Sequence, residues 1–162
     1  MARYVVISKS DMTVNPEEFH ALHLGEIEVF EVGAEFELGL DPVDDYAIAL
    51  KGASVVHNGL RVLGSINAPI NGEIEGASDA FTIDLEGSSE TELSIVIDLG
   101  TMVNVGRLRV WQPNNPNLQR LKNFNLELYG ADGGAPDYAA GPVYSAYHAG
   151  AVAEFGMFSY HV

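Results

Sequence analysis

The sequence contains no cysteine, so it has no disulfide framework, no thiolate nucleophile and no cysteine-ligated zinc. Cations are nearly as scarce, with Lys+Arg 8 against Asp+Glu 23 and a formal net charge of -15. Binding nucleic acid needs clustered Lys/Arg to displace counterions, and docking on anionic lipid needs the same clusters, so neither is expected as a partner. No apolar run approaches the ~20 residues of a transmembrane helix, so membrane insertion by a helix is not expected either. The opening MARYVVISKSD has too short an apolar stretch and no small-residue cleavage site, and does not read as a signal peptide. Catalytic signatures are missing too: there is no G-x-S-x-G elbow, no P-loop, no H-E-x-x-H and no dinucleotide fingerprint between a strand and a helix.

What is present is a chain of 162 residues with 47% hydrophobic content. That is enough for one domain over 1–162 with a sizeable core, and too apolar for a disordered acidic chain. Its periodicity is two. Phe36, Leu38 and Leu40 alternate with Glu35 and Glu37, and Phe81, Ile83 and Leu85 with Thr82, Asp84 and Glu86. Leu93, Ile95, Ile97 and Leu99 alternate with Ser94, Val96 and Asp98, and Phe124, Leu126 and Leu128 with Asn125, Glu127 and Tyr129. Each run reads as a strand with one face on a core and the other towards water. Turn signals separate them at Asn58-Gly59, Asn71-Gly72, Glu86-Gly87-Ser88-Ser89, Leu99-Gly100 and Asp132-Gly133-Gly134. Short strands with polar turns predict an all-β, antiparallel sandwich, barrel or jelly roll.

One short helix is expected near 16–23. Asn15 is a capping residue, Pro16 takes the first helical position, and Glu17 and Glu18 suit the first turn. Gly25 and the strand-like Glu26-Ile27-Glu28-Val29-Phe30 limit it to about two turns. The Gly-, Ala- and Tyr-rich stretch 130–151 reads as long loops around one weak strand near Val143–Tyr147.

Few residues suggest chemistry. His20 and His23 beside Glu17 and Glu18 could form half a metal site, but no third ligand is patterned nearby, and polar residues on a short exposed helix are the simpler reading. Asp41, Asp44 and Asp45 lack the spacing of a calcium loop, and no carboxylate pair stands out for glycoside hydrolysis. No enzyme activity is expected. The basic residues are unevenly spread, with Arg107, Arg109, Arg120 and Lys122 in one stretch. On a strand, Val105, Arg107, Arg109 and Trp111 share one face, and Leu108 and Val110 the other. The following Gln112-Pro113-Asn114-Asn115-Pro116-Asn117 is amide-rich and stiffened by proline. An aromatic for stacking, with Arg and amides for directed hydrogen bonds, suits a sugar. The alternative is that the arginines pair with surrounding acids and Trp111 packs into the sheet.

The run Ser94-Ile-Val-Ile-Asp98-Leu99-Gly100, then Val105-Gly-Arg-Leu-Arg-Val-Trp111, then Arg120-Leu-Lys-Asn-Phe124-Asn-Leu-Glu-Leu-Tyr-Gly-Ala-Asp132-Gly133 resembles the discoidin family, the coagulation factor 5/8 type C domains, and within it the galactose-binding-like and fucolectin relatives. Leu24-Gly25-Glu26-Ile27-Glu28-Val29-Phe30 resembles that family's Leu-Ala-Glu-Ile-Glu-Val-Tyr strand, and Ile70-Asn71-Gly72 its Ile-Asp-Gly turn. The resemblance covers about residues 4–133. It implies an eight-stranded jelly roll with ligand loops at one rim. The segment resembling residues 3–30 commonly closes such a module, so its position here implies a circularly permuted register.

The resemblance also implies a structural calcium ion, with Glu26, the Gly25 carbonyl, Asn71 (where the family usually has Asp), Thr82 and Asp79 as candidate ligands. For the sugar loop, written Arg-x-Asp-x-x-x-x-Arg in fucolectins with a His upstream, this chain offers Pro113, Asn115 and Arg120, with Glu86 at the His spacing. The fucose anchors are therefore mostly replaced. The expected function is a non-catalytic, lectin-like adhesion module for cell-surface or extracellular glycans, centred on Trp111, Asn114, Asn115, Asn117 and Arg120, with His57 and Arg61 contributing from another loop. Weak single-site sugar affinity favours a homo-oligomer or larger array, outside the cell or on a particle surface. The alternative is a structural, decoration or spike protein of a phage or virus-like particle, using the same jelly roll for packing or host attachment.

Overall fold

The computed structural model describes residues 1–10, 21–33, 51–59, 61–72, 81–84, 92–112, 122–149 and 157–162. In chain order their strands are β1 (Ala2–Lys9), β2 (Ala21–Leu24), β3 (Glu26–Glu31), β4 (Ser54–His57), β5 (Arg61–Leu63), β6 (Phe81–Asp84) and β7 (Leu93–Val103). They continue with β8 (Val105–Trp111), β9 (Phe124–Tyr129), β10 (Ala131–Asp132), β11 (Ala135–Pro136), β12 (Tyr144–His148) and β13 (Met157–His161). The 3-10 turn Ala68–Ile70 precedes the Asn71-Gly72 bend. All strand pairings among the described residues are antiparallel. They form a five-stranded sheet in the order β12-β9-β1-β7-β4, two three-stranded sheets, β13-β8-β3 and β2-β6-β5, and the β10-β11 hairpin.

The layers follow from the alternation. Val5 and Ile7 of β1, Ile95 and Ile97 of β7, and Leu126 and Leu128 of β9 meet Leu22 and Leu24 of β2, Ile27 and Val29 of β3, and Leu108 and Val110 of β8 in one buried cluster. The inner face of the five-stranded sheet thus packs on both smaller sheets, an all-β sandwich whose halves are held by apolar burial. The central strand β1 is apolar on both faces. Its outward Tyr4 and Val6 form a second buried cluster with Tyr129 and the partly buried Val96, and Tyr138 stands edge-on to Tyr129, ring centroids 5.0 Å apart. An uninterrupted run such as Tyr4-Val-Val-Ile7 marks a strand covered on both sides.

Several expectations change. Residues 21–24 are strand β2, so no helix covers 21–23; the remainder of the expected helix and the Phe36–Leu40 run lie outside the described residues. Helix-compatible spacing in Ala21-Leu-His-Leu24 gives way to pairing with β6, which buries Leu22 and Leu24 completely. His23 is consequently a buried strand residue opposite Thr82, not a polar group on an exposed helix. Leu99-Gly100 is not a turn between strands but a bulge inside β7. Between the pairs Ala2↔Val103 and Tyr4↔Asp98 the register slips, so that Arg3 alone faces 99–102. Gly100 takes φ +74 there and donates its N–H to Asp98 Oδ1 at 2.8 Å, a conformation glycine tolerates best. Arg3 grips the same carboxylate with two hydrogen bonds, 2.8 and 2.9 Å, and holds it below the usual carboxylate range. Within 130–149 the expected weak strand is present as β12, and the Asp132-Gly133-Gly134 signal closes the β10-β11 hairpin.

Lys9 ends the inner face of β1 with 0% exposure, its Nζ 3.5 Å from the Ala21 carbonyl oxygen. Burial, reinforced by repulsion from Lys122, lowers its pKa from 10.5 to about 8. From pH 8 to 10.5 the unfolded chain therefore binds more protons at this position than the folded one, and stability rises with pH across that window. Burial and the Glu127 hydrogen bond push Tyr129 up from 10.0 to about 12, and burial also raises Tyr160, so above pH 10 the unfolded chain loses protons first and stability falls. Urea unfolding between pH 7 and 12 is expected to show a maximum near pH 10. The rise before it should be about 2–3 kcal/mol in the native chain and absent in Lys9→Met.

Candidate ligand-binding site

The β3–β8 register sets Glu26 beside Trp111, Glu28 beside Arg109 and Phe30 beside Arg107. Because Ile27, Val29, Leu108 and Val110 turn into the core, these six side chains project from the opposite face of the sheet. The Glu28 carboxylate is the hub of that face. Its Oε2 accepts the Trp111 indole N–H and lies 3.4 Å from Arg109 Nη1. The Arg109 guanidinium sits over the Phe30 ring, 5.2 Å from the centroid. Glu28, Arg109 and Phe30 are buried, whereas Trp111 is half-buried.

Arg109 is therefore an internal partner of Glu28. Of the two readings open from the sequence, pairing with a nearby acid is the one that holds for it. Trp111 is tethered at its N–H edge and is half-buried. Buried Gln112 follows and leads into the amide-rich segment. A charge-assisted hydrogen bond from an indole to a buried carboxylate is directional, so it orients the Trp111 ring.

The expected calcium ligands converge in part. Glu26 is 0% exposed and its Oε2 accepts the Gly72 N–H at 3.2 Å, tying β3 to the Asn71-Gly72 bend. Gly25 donates to the Trp111 carbonyl at 3.0 Å, at the corner where β2 passes into β3. Thr82, buried opposite His23, lies on the strand next to that corner. Asp79 lies outside the described residues. Gly25, Glu26, Asn71 and Thr82 offer hard oxygen donors, the kind calcium takes, but with a single carboxylate they do not complete its six to eight ligands. No group of three His, Asp or Glu side chains able to hold a metal occurs among the described residues.

The remaining candidates divide. His57 ends β4 in the five-stranded sheet, and Arg61 is exposed at the start of β5. With Trp111 on β8, the three stand on three different sheets. Between His57 and Arg61, Asn58 works as a clamp: Nδ2 donates to the Glu92 carbonyl at 2.9 Å and Oδ1 accepts the Ser94 N–H at 2.8 Å. Asn114, Asn115, Asn117 and Arg120 lie outside the described residues. The residue that sequence reasoning missed is Glu28. Its signal was the parallel spacing of Glu26-x-Glu28 and Arg107-x-Arg109, two strands whose alternation puts opposite charges face to face.

No protein-family model, curated protein or solved structure matches the chain.

Proposed function

We propose that the protein is a non-catalytic, lectin-like module that binds a neutral glycan beside Trp111. The observation supporting this reading is the half-buried Trp111 ring, tethered through its N–H to Glu28 at the start of the Asn- and Pro-rich segment 112–117. A fixed indole face stacks on the apolar face of a pyranose, and the amides of Asn114, Asn115 and Asn117 with Arg120 supply directed hydrogen bonds to its hydroxyls. The jelly-roll form of the sandwich and a calcium ion held by Gly25, Glu26, Asn71, Asp79 and Thr82 belong to the same proposal. So does assembly into a multivalent array outside the cell or on a particle surface.

The chain has a single tryptophan, so its fluorescence reports on this site alone. Titration with neutral oligosaccharides is expected to quench or shift that emission saturably, and EDTA to weaken the response if calcium orders the loops. A response absent at millimolar sugar overturns the glycan reading. Hydrolysis of any oligosaccharide tested overturns its non-catalytic part.

A decoration or spike protein is the second reading, favoured by the exposed Val56, Val143 and Tyr147 of the five-stranded sheet's flanking segments. A stable oligomer in light scattering together with a silent sugar titration selects it.

A further inference from the structure

The outer face of the five-stranded sheet holds an uncompensated carboxylate among tyrosines, far in character from the Trp111 face. Leu126 and Leu128 point into the core, so Glu127 projects outward between them. Its Oε2 accepts the Tyr129 hydroxyl at 3.0 Å and its Oε1 is 3.5 Å from the Ser145 hydroxyl. Tyr138, 59% exposed, stands on Tyr129 at an interplanar angle of 67°. Tyr147, 63% exposed, faces outward on β12 two residues from Ser145, which pairs with Glu127. Burial first, then the negative charges of Glu92 and Glu127, raise the Tyr138 phenol. Among the described residues no lysine, arginine or histidine forms an ion pair with Glu127 or Glu92. Aromatic rings around an unneutralised acid are complementary to an organic cation.

The neighbouring strand indicates how such a cation arrives. Among the described residues β12 is the outermost strand of its sheet, and Tyr144-Ser-Ala-Tyr-His148 contains none of the lysines, acids or prolines that usually guard an edge. A strand added there lies two strand spacings, roughly 10 Å, from β9. Its alternate side chains enter the row of Ser145 and Glu127. Serine is small, and a long basic side chain can pass over it. We propose that the outer edge of β12 takes an extended basic segment of a partner protein, whose Lys or Arg reaches over Ser145 to the Glu127 carboxylate between Tyr138 and Tyr147. Backbone pairing supplies affinity and the cation supplies register, the usual division in strand addition.

The test is calorimetric titration of the full chain with a capped Thr-Lys-Val-Lys-Thr peptide, its acetyl-lysine counterpart, a backbone N-methylated version and free tetramethylammonium. The lysine peptide is expected to bind, and the other three at least tenfold more weakly. Glu127→Gln keeps an acceptor for the Tyr129 hydroxyl and is expected to weaken peptide binding at least tenfold, as is Tyr138→Ala. Glu31→Gln, an exposed acid on β3 of another sheet, is expected to leave binding unchanged. Equal losses in Glu127→Gln and Glu31→Gln would show only general attraction to a chain of net charge -15 and overturn the site. Absent peptide binding, or tetramethylammonium or the N-methylated peptide binding as well as the parent, overturns it too. None of these outcomes depends on whether the Trp111 face binds sugar.

Discussion

Gly106→Ala is expected to destabilise the fold by about 3 kcal/mol and lower the unfolding midpoint by roughly 10 °C for a chain of this size. A Cβ at Gly106 would lie 2.7 Å from Val32 Cα and 2.9 Å from Val32 N, both backbone atoms. Neither side yields easily. Val32 N donates to the Asn104 carbonyl at 2.8 Å, and the Gly106 carbonyl accepts the Val162 N–H at 3.1 Å. Three segments of chain therefore converge on one glycine, where β3 ends, β8 begins and β13 has just finished. Gly130→Ala is the control, since nothing lies within 4 Å of its added Cβ. Differential scanning calorimetry of the two variants should separate them clearly. A midpoint for Gly106→Ala within about 2 °C of the parent, less than 1 kcal/mol, would contradict the close approach of β8 to the Val32 turn.

Glu28→Ala should have a comparable or larger effect, about 3–5 kcal/mol, because it leaves the buried Arg109 without this acid and the Trp111 indole without its acceptor. Glu28→Gln keeps a hydrogen-bond acceptor of the same shape and should lose less, since it removes the charge but not the tether. The tryptophan emission distinguishes the two. It should remain near the parent's in Glu28→Gln and move towards that of a mobile, solvated indole in Glu28→Ala, even in the fraction that remains folded. A Glu28→Ala loss below about 1 kcal/mol, the range of an exposed ion pair, would mean that the carboxylate is not the hub of this face. A double-mutant cycle with Arg109→Met should return a coupling energy well above that range.

Much of the strand content was legible in the sequence because the core is built by simple alternation. Leu93, Ile95, Ile97 and Leu99, and likewise Phe124, Leu126 and Leu128, are buried as the pattern requires. The misreadings have local causes. Leu99-Gly100 carries turn chemistry because a bulge needs the same left-handed glycine as a turn, and only long-range pairing with β1 distinguishes the two. The segment before Gly25 carries a helix start, but residues 21–24 serve the β6 pairing, and burial of Leu22 and Leu24 outweighs the local preference.

The site was half legible. The shared face of Arg107, Arg109 and Trp111 followed from period two, and so did the possibility that arginines there pair with acids. That Glu28 would hold both Arg109 and Trp111 depends on the register between strands some 80 positions apart (|i−j| 81 and 83), which no local pattern sets. The charge imbalance gains a finer meaning as well. Two of the scarce arginines, Arg3 and Arg109, are bound by Asp98 and Glu28, so they serve the scaffold, while among the described residues the partners of Glu127 are the Tyr129 and Ser145 hydroxyls.

The proposed function places a glycan beside Trp111. It is tested most directly by a glycan array probed in parallel with the native chain, Trp111→Ala and Arg120→Ala, each first shown to be folded by its melting curve. The native chain is expected to retain a restricted set of neutral glycans, and both variants to lose them. Retention of no glycan by the native chain, or of the same set by all three proteins, would contradict it.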